Sequence, residues 1–150
     1  SRYELRSDSS AAGKWRGGIG SIREVTFLED SFISIEGDGH AFPPWGYAGG
    51  KNGKAARVVL HKTNSKKDEL PSMMPNRSVK KGESITLTGT CGGGYGNPLS
   101  RNPEQVTEDV KDGLISKKTA LSDYGVVLTR NGTLDKRATQ TKRKSLRSKK

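Results

Sequence analysis

The chain has 150 residues, of which 30% are hydrophobic and 29% charged, with a formal net charge of +11, 19 Gly and one Cys. That length suits one domain. The absence of an apolar run of about 18 residues excludes a helical membrane span, and a lone cysteine excludes an intrachain disulfide or a Cys-based zinc site while fitting a reducing cytoplasm.

In chain order, Trp15-Arg16-Gly17-Gly18-Ile19-Gly20 sets three glycines around one large ring. Residues 21–28 and 32–36 read as two strands, with Val25 and Phe27 sharing one face and Ile33 and Ile35 sharing another. Glu29-Asp30-Ser31 between them suggests a hairpin turn. Residues 37–53 hold too much Gly and Pro for either regular period, and a loop of that length is usually a functional surface or an interface. Within it, His40, Phe42, Pro43, Pro44 and Trp45 are stiff, apolar and ring-rich, which suits an interface anchor better than catalysis. Ala56–His61 is a further strand, residues 62–77 a polar connection with two prolines, and Glu83–Gly89 a strand alternating Ile85 and Leu87.

The character then changes. Residues 89–96 carry five glycines in eight positions. Asn102 reads as an N-cap with Pro103 in the first helical position and Gln105 able to reach back. Val106 and Val110 share one face of that helix, residues 108–112 supply the wet face, and Gly113 is a natural C′ residue. Ser116 caps a second short helix running to Tyr124, with extended chain after it. The expected fold is α+β: a β-rich body of antiparallel strands, sandwich- or barrel-like, then a Gly-rich loop, two short helices and a basic tail.

The basicity is concentrated in that tail. Residues 136–150 hold eight basic side chains and no acid, leaving 19 basic and 16 acidic residues in the other 135. With only Ala138 and Leu146 as apolar groups, the tail is expected to be disordered unless a partner orders it. No aromatic interleaves with its charges to stack on bases, so a solubilising or subunit-contacting tail is favoured over a nucleic-acid-binding arm.

The glycine loop lacks the Gly-Lys-Ser/Thr of a nucleotide P-loop, and residues 97–101 separate it from the helix that a dinucleotide fingerprint would need. Two readings remain for Gly92, Gly93, Gly94, Tyr95, Gly96 and Asn97: successive N–H groups forming an anion nest, or a structural loop that contacts another segment. Cys91 would need a neighbouring base to act as a nucleophile, and His40 and His61 are remote in sequence, so a passive role is expected. Asp38 and His40 point to one side at period two, yet two ligands do not hold a metal firmly, and a locally hydrogen-bonded His40 is the expectation.

Four segments in order, GKWRGGIG (13–20), GDGHAFPPWGYAGG (37–50), CGGGYGNPLSRNPEQVTEDVKDGLIS (91–116) and DYGVVL (123–128), resemble the carboxy-terminal part of the hydantoinase B/oxoprolinase family. Cys91 stands where relatives generally carry Gly, Asn97 where Asp is common, and the basic tail extends past the family's usual end. The resemblance implies that residues 1–135 form a single domain completing a larger hydantoinase B-like subunit, as a fragment or as one half of a split gene. The split arrangement resembles the small subunit of biotin-independent, ATP-dependent ketone carboxylases acting on acetophenone in ethylbenzene degradation. An ATP-dependent cyclic-amide hydrolase of hydantoinase or oxoprolinase type is the alternative within the family. The implied partners are hydantoinase A-like and hydantoinase B-like large subunits in the cytoplasm, with no membrane and nucleic acid disfavoured; a basic nucleic-acid-binding protein is the alternative from another class. ATP and a divalent metal are expected in those partners and no cofactor in this chain, whose catalytic residues stay unassigned because the family's chemistry lies upstream.

Overall fold

The computed structural model describes residues 1–148. Seven strands, β1 (Arg2–Leu5), β2 (Ser21–Thr26), β3 (Ser31–Glu36), β4 (Arg57–His61), β5 (Lys67–Leu70), β6 (Met73–Val79) and β7 (Ser84–Thr88), precede three helices, α1 (Pro103–Lys111), α2 (Lys117–Tyr124) and α3 (Lys136–Arg147). The architecture is α+β with antiparallel sheets. Five strands form one sheet in the order β1-β2-β7-β4-β5, and β3 and β6 form a second.

The strands at 21–28 and 32–36 do not pair as a hairpin. β2 lies between β1 and β7, with Val25 opposite Ile85, whereas β3 pairs with β6. The connection is tied to the turn before β7 instead: Phe27 N–H donates to Glu83 O, Gly82 N–H donates to Phe27 O, and the Asp30 carboxylate accepts the Lys81 N–H at 2.9 Å. This lets Ile33 and Ile35 of the small sheet close over Val58, Leu60 and Ile85 of the large one, forming one apolar cluster with Leu70, Val79 and Met74.

Residues 62–77, expected to be a polar connection, contribute β5 and most of β6. Pro75 hides the strand from a pattern reading. It is tolerated because the pairing shifts register there, between Ile33 and Ile35 on the facing strand. Asn76 takes a left-handed φ of +48° and donates its N–H to Ser34 Oγ, as a bulge on an edge strand permits.

The helical half has its own core of Ala12, Val106, Ile115, Ala120, Tyr124 and Val126. The Asn102 side chain accepts the Glu104 N–H at 2.7 Å, Ser116 caps α2, and Gly113 adopts φ +72°, all as the cap residues require. One residue of the expected wet face of α1 turns inward. Asp109 is only 6% exposed and joins Arg101 Nη2 at 2.9 Å and Arg16 Nε at 2.9 Å.

The basic tail is a third helix rather than a disordered segment over residues 136–147; Lys149 and Lys150 lie outside the described residues. Asp135 caps it by accepting the Ala138 N–H at 2.9 Å. Thr139 is buried and accepts the Val127 N–H at 3.0 Å. Arg143 donates to the carbonyls of Tyr124 at 2.9 Å and Arg101 at 2.8 Å. Part of the charge that looked free therefore closes backbone ends, and those bonds offset the ordering entropy that low apolar content alone could not.

Two outcomes follow for stability. Asp109→Asn leaves two half-buried or buried guanidinium groups without their counter-charge, so the urea midpoint should fall by the equivalent of about 3–5 kcal/mol. Tyr124 is fully buried, its hydroxyl has no hydrogen-bond partner, and burial pushes its pKa up to about 12 from 10.0. Because the folded value exceeds the unfolded one, its contribution is intact below pH 10 and is lost between about pH 10 and 12. Tyr124→Phe should flatten that alkaline loss in a pH series of melting temperatures without lowering stability at pH 7.

Candidate functional site

The glycine loop is the middle of three backbone segments. On one side, Trp15 and Tyr95 exchange N–H···O bonds of 3.0 and 2.9 Å, and Gly92 N–H donates to Gly18 O at 3.0 Å. On the other, Tyr47 N–H donates to Gly94 O, Gly96 N–H to Tyr47 O and Gly94 N–H to Lys51 O, each at 2.9 Å. The N–H groups that an anion nest would need in succession are thus turned to carbonyls at positions 92, 94, 95 and 96.

The glycines are required because the peptide planes approach so closely. A Cβ at Gly17 would strike the Gly92 carbonyl, one at Gly93 the Trp45 carbonyl, and one at Gly94 the Ala12 carbonyl, all nearer than real atoms come. Within 92–96 only Gly96 has a positive φ, +73°. Gly94 is therefore needed for close approach and not for an unusual φ. Asn97 ends the loop by accepting the Leu99 N–H at 2.9 Å, capping a 3₁₀ turn over Pro98–Ser100. The amide oxygen fills that capping role as an Asp carboxylate would.

This knot displays rings. Tyr47 and Tyr95 lie 6.0 Å apart, centroid to centroid, and Trp15 is bridged to the same Tyr95 backbone. In the adjoining loop Phe42 is 89% and Trp45 80% exposed. Pro43 and Pro44 stiffen the loop between them, and Gly53 N–H closes it onto Pro44 O at 2.8 Å. The structure thus brings the two sequence segments together into one surface, rigid in its backbone and apolar in its side chains.

The remaining candidates separate. Cys91 is buried; its thiol donates to Ser9 O and its sulfur accepts the Lys54 N–H at 2.8 Å. No imidazole is among these partners, and His61 is bonded to Thr86 Oγ1 at 2.8 Å in the large sheet. His40 does not make the expected local hydrogen bond: both ring nitrogens are buried without a partner, the ring lying beside the Gly37 backbone. Among the described residues no three of His, Cys, Asp or Glu converge, so Asp38 and His40 supply no complete donor set for a divalent metal. Arg6 belongs to no motif, yet its guanidinium ties Ala55 O at 2.9 Å to Gly89 O at 2.8 Å, joining the exit of the 37–53 loop to the start of the glycine loop. Its only sequence signal is a lone Arg ahead of the glycine-rich segment.

Gly94→Val should lower the unfolding midpoint by the equivalent of more than about 3 kcal/mol, because backbone on the facing segment cannot yield as a side chain can. Gly18→Ala is the matched control: a Cβ there meets nothing within 4 Å, and its midpoint should stay within about 0.5 kcal/mol of the parent.

Comparison with known proteins agrees with this fold. The family model for hydantoinase B/oxoprolinase matches residues 1–98. A D-/L-hydantoinase B-type component from Pseudomonas sp. (strain NS671) is 49% identical over 144 residues, covering 95% of this chain and 24% of that protein. The crystal structure of ATP-dependent caprolactamase from Pseudomonas jessenii superposes with a TM-score of 0.80 at 34% identity, over 95% of this chain and 25% of that one. The acetophenone carboxylase delta subunit of Aromatoleum aromaticum is 24% identical, over 79% of this chain and 22% of that protein. The chain thus spans about a quarter of the length of each of these relatives. With the family model covering well over half of it and a relative at 49% identity, the chain belongs to the hydantoinase B/oxoprolinase family.

Proposed function

We propose that this chain forms the carboxy-terminal part of a hydantoinase B-type subunit in a multi-subunit, ATP-dependent enzyme, and that it contributes structure and contact surface to that assembly. The observation that carries this reading is the exposed ring surface of Phe42, Trp45, Tyr47 and Tyr95 held on a fixed backbone, in a chain that spans only a quarter of its relatives' length. A rigid apolar surface suits burial against a partner because little conformational freedom is lost when it docks. The occupants proposed for it are the hydantoinase A-like and hydantoinase B-like large subunits, with ATP and the divalent metal held there.

Opening of a cyclic amide comes first as the reaction of that assembly. The hydantoinase-type relative is 49% identical, against 24% for the acetophenone carboxylase relative. This reverses the order implied by the segment resemblance, which put ketone carboxylation first. The carboxylase remains the second reading on the strength of that 24% match.

Mass spectrometry of material co-purifying with the chain should find large subunits of both types. The purified assembly should couple ATP consumption to opening of a hydantoin or lactam and leave acetophenone plus bicarbonate unchanged. Carboxylation without amide opening would reverse the order of the two reactions. A monomeric chain that runs either reaction unaided would overturn the contact role. The double variant Phe42→Ala, Trp45→Ala should retain the parent's melting temperature yet lose most of its co-purification, since both rings are exposed.

A further inference from the structure

β1 is the outermost strand of the five-stranded sheet, and among the described residues only one of its edges is paired. Arg2 lies opposite Glu24, Tyr3 opposite Arg23, Glu4 opposite Ile22 and Leu5 opposite Ser21. The ladder continues where Arg6 N–H donates to Gly20 O at 2.9 Å. Alternate residues of an antiparallel strand turn their backbone groups to opposite sides. Arg6 therefore sets the phase: Arg2, Glu4 and Arg6 bond inward to β2, while Tyr3 and Leu5 present their groups outward. The Leu5 carbonyl accepts the Ser7 N–H at 3.1 Å. Among the described residues nothing bonds the Tyr3 N–H or the Tyr3 carbonyl, so Tyr3 alone keeps both outward groups free.

The side chains of the same two residues are bare. Residues opposite one another share a face of a sheet, and Tyr3, Arg23, Leu87, Val58 and Leu70 make one row across all five strands. Val58, Leu70 and Leu87 belong to the apolar cluster that also holds residues of β3 and β6, whereas Tyr3 is 78% and Leu5 59% exposed. The core face of the sheet thus runs past its cover at β1. Edge strands are commonly blunted by proline, a bulge or surplus charge. β1 has no proline, a regular register, and one charge of each sign. Those charges stand on the opposite face, with Arg2 3.6 Å from Glu4 and 4.0 Å from Glu24.

This order of charges matches a second copy of the same strand. Two β1 edges running antiparallel about Tyr3 set Arg2 of each copy opposite Glu4 of the other, and the two Tyr3 residues exchange both backbone bonds. A centre at Glu4 would place Glu4 against Glu4, and like charges directly opposite are unfavourable; it would also need the Leu5 carbonyl that Ser7 already holds. We propose that β1 joins two copies of this chain edge to edge, in a two-fold antiparallel register centred on Tyr3, so that the two large sheets become one. The inference rests on β1 alone and is independent of the reaction and of the subunits that meet the ring surface.

Sedimentation equilibrium of the full chain, in a concentration series to about 1 mM, should show a species of twice the chain's mass. Tyr3→Pro removes an outward N–H and no bond to β2, so it should weaken the dimer by at least about tenfold and keep the parent's melting temperature. Arg2→Glu and Glu4→Arg each set like charges opposite one another at both ends of the contact, and each alone should stay monomeric. An equimolar mixture of those two variants again sets acid against base at both ends and should re-form the dimer. A parent chain that stays monomeric throughout, a dimer indifferent to Tyr3→Pro, or a mixture that associates no better than its components would each overturn the proposal.

Discussion

Where residues 12–18, 44–53 and 91–96 meet, carbonyls of one segment occupy the space a Cβ would need on the next. Close approach of backbone to backbone is the constraint on which the rest of the molecule depends. It dictates glycine at positions 17, 50, 93 and 94, and it lets three irregular segments bond like strands without side chains holding them apart. The same approach buries Cys91 against Ser9 and Lys54. It also fixes the backbone of Trp15, Tyr47 and Tyr95, so their rings are presented from a frame that does not need to be ordered by a partner.

That frame lies between two cores. The sheet cluster is centred on Leu60, Val79 and Ile85, the helical cluster on Val106, Tyr124 and Val126. Ala12 belongs to the helical cluster and also accepts the Lys51 N–H at 2.8 Å, so the knot is continuous with the second core. Polar contacts do much of the joining: Arg101 and Arg16 converge on Asp109, and Arg143 reaches the carbonyls at Tyr124 and Arg101. A chain poor in large apolar side chains is held here by backbone contacts and guanidinium groups, which substitute for part of the missing hydrophobic burial.

Elements with one-residue chemical signatures are legible in the sequence. Asn102, Pro103, Gly113 and Ser116 mark their helices through local hydrogen bonds and φ values, β7 announces itself by alternation, and β4 by its short Val58-Val59-Leu60 apolar run. Elements whose support is distant are not. β1 is only four residues long and exposed along its length, and β6 carries a proline made harmless only by a bulge; β3 is legible as a strand, but its partner, set through packing, is not. The third helix does carry a signal: Asp135 as a cap, and inward positions 138, 139, 142, 143 and 146 at helical spacing. Density of charge obscures it. Of the candidate site, the ring-rich and glycine-rich segments are each visible, but not that they are two layers of one surface, because nothing local encodes contact across more than 40 residues.

Hydrogen exchange resolved to single amides across residues 91–97 bears most directly on the central constraint. The account predicts that Gly92, Gly94, Tyr95 and Gly96, whose N–H groups donate to Gly18, Lys51, Trp15 and Tyr47, exchange as slowly as the amides of β7, while Gly93 exchanges faster. Fast, uniform exchange through the whole segment beside a protected β7 would contradict it.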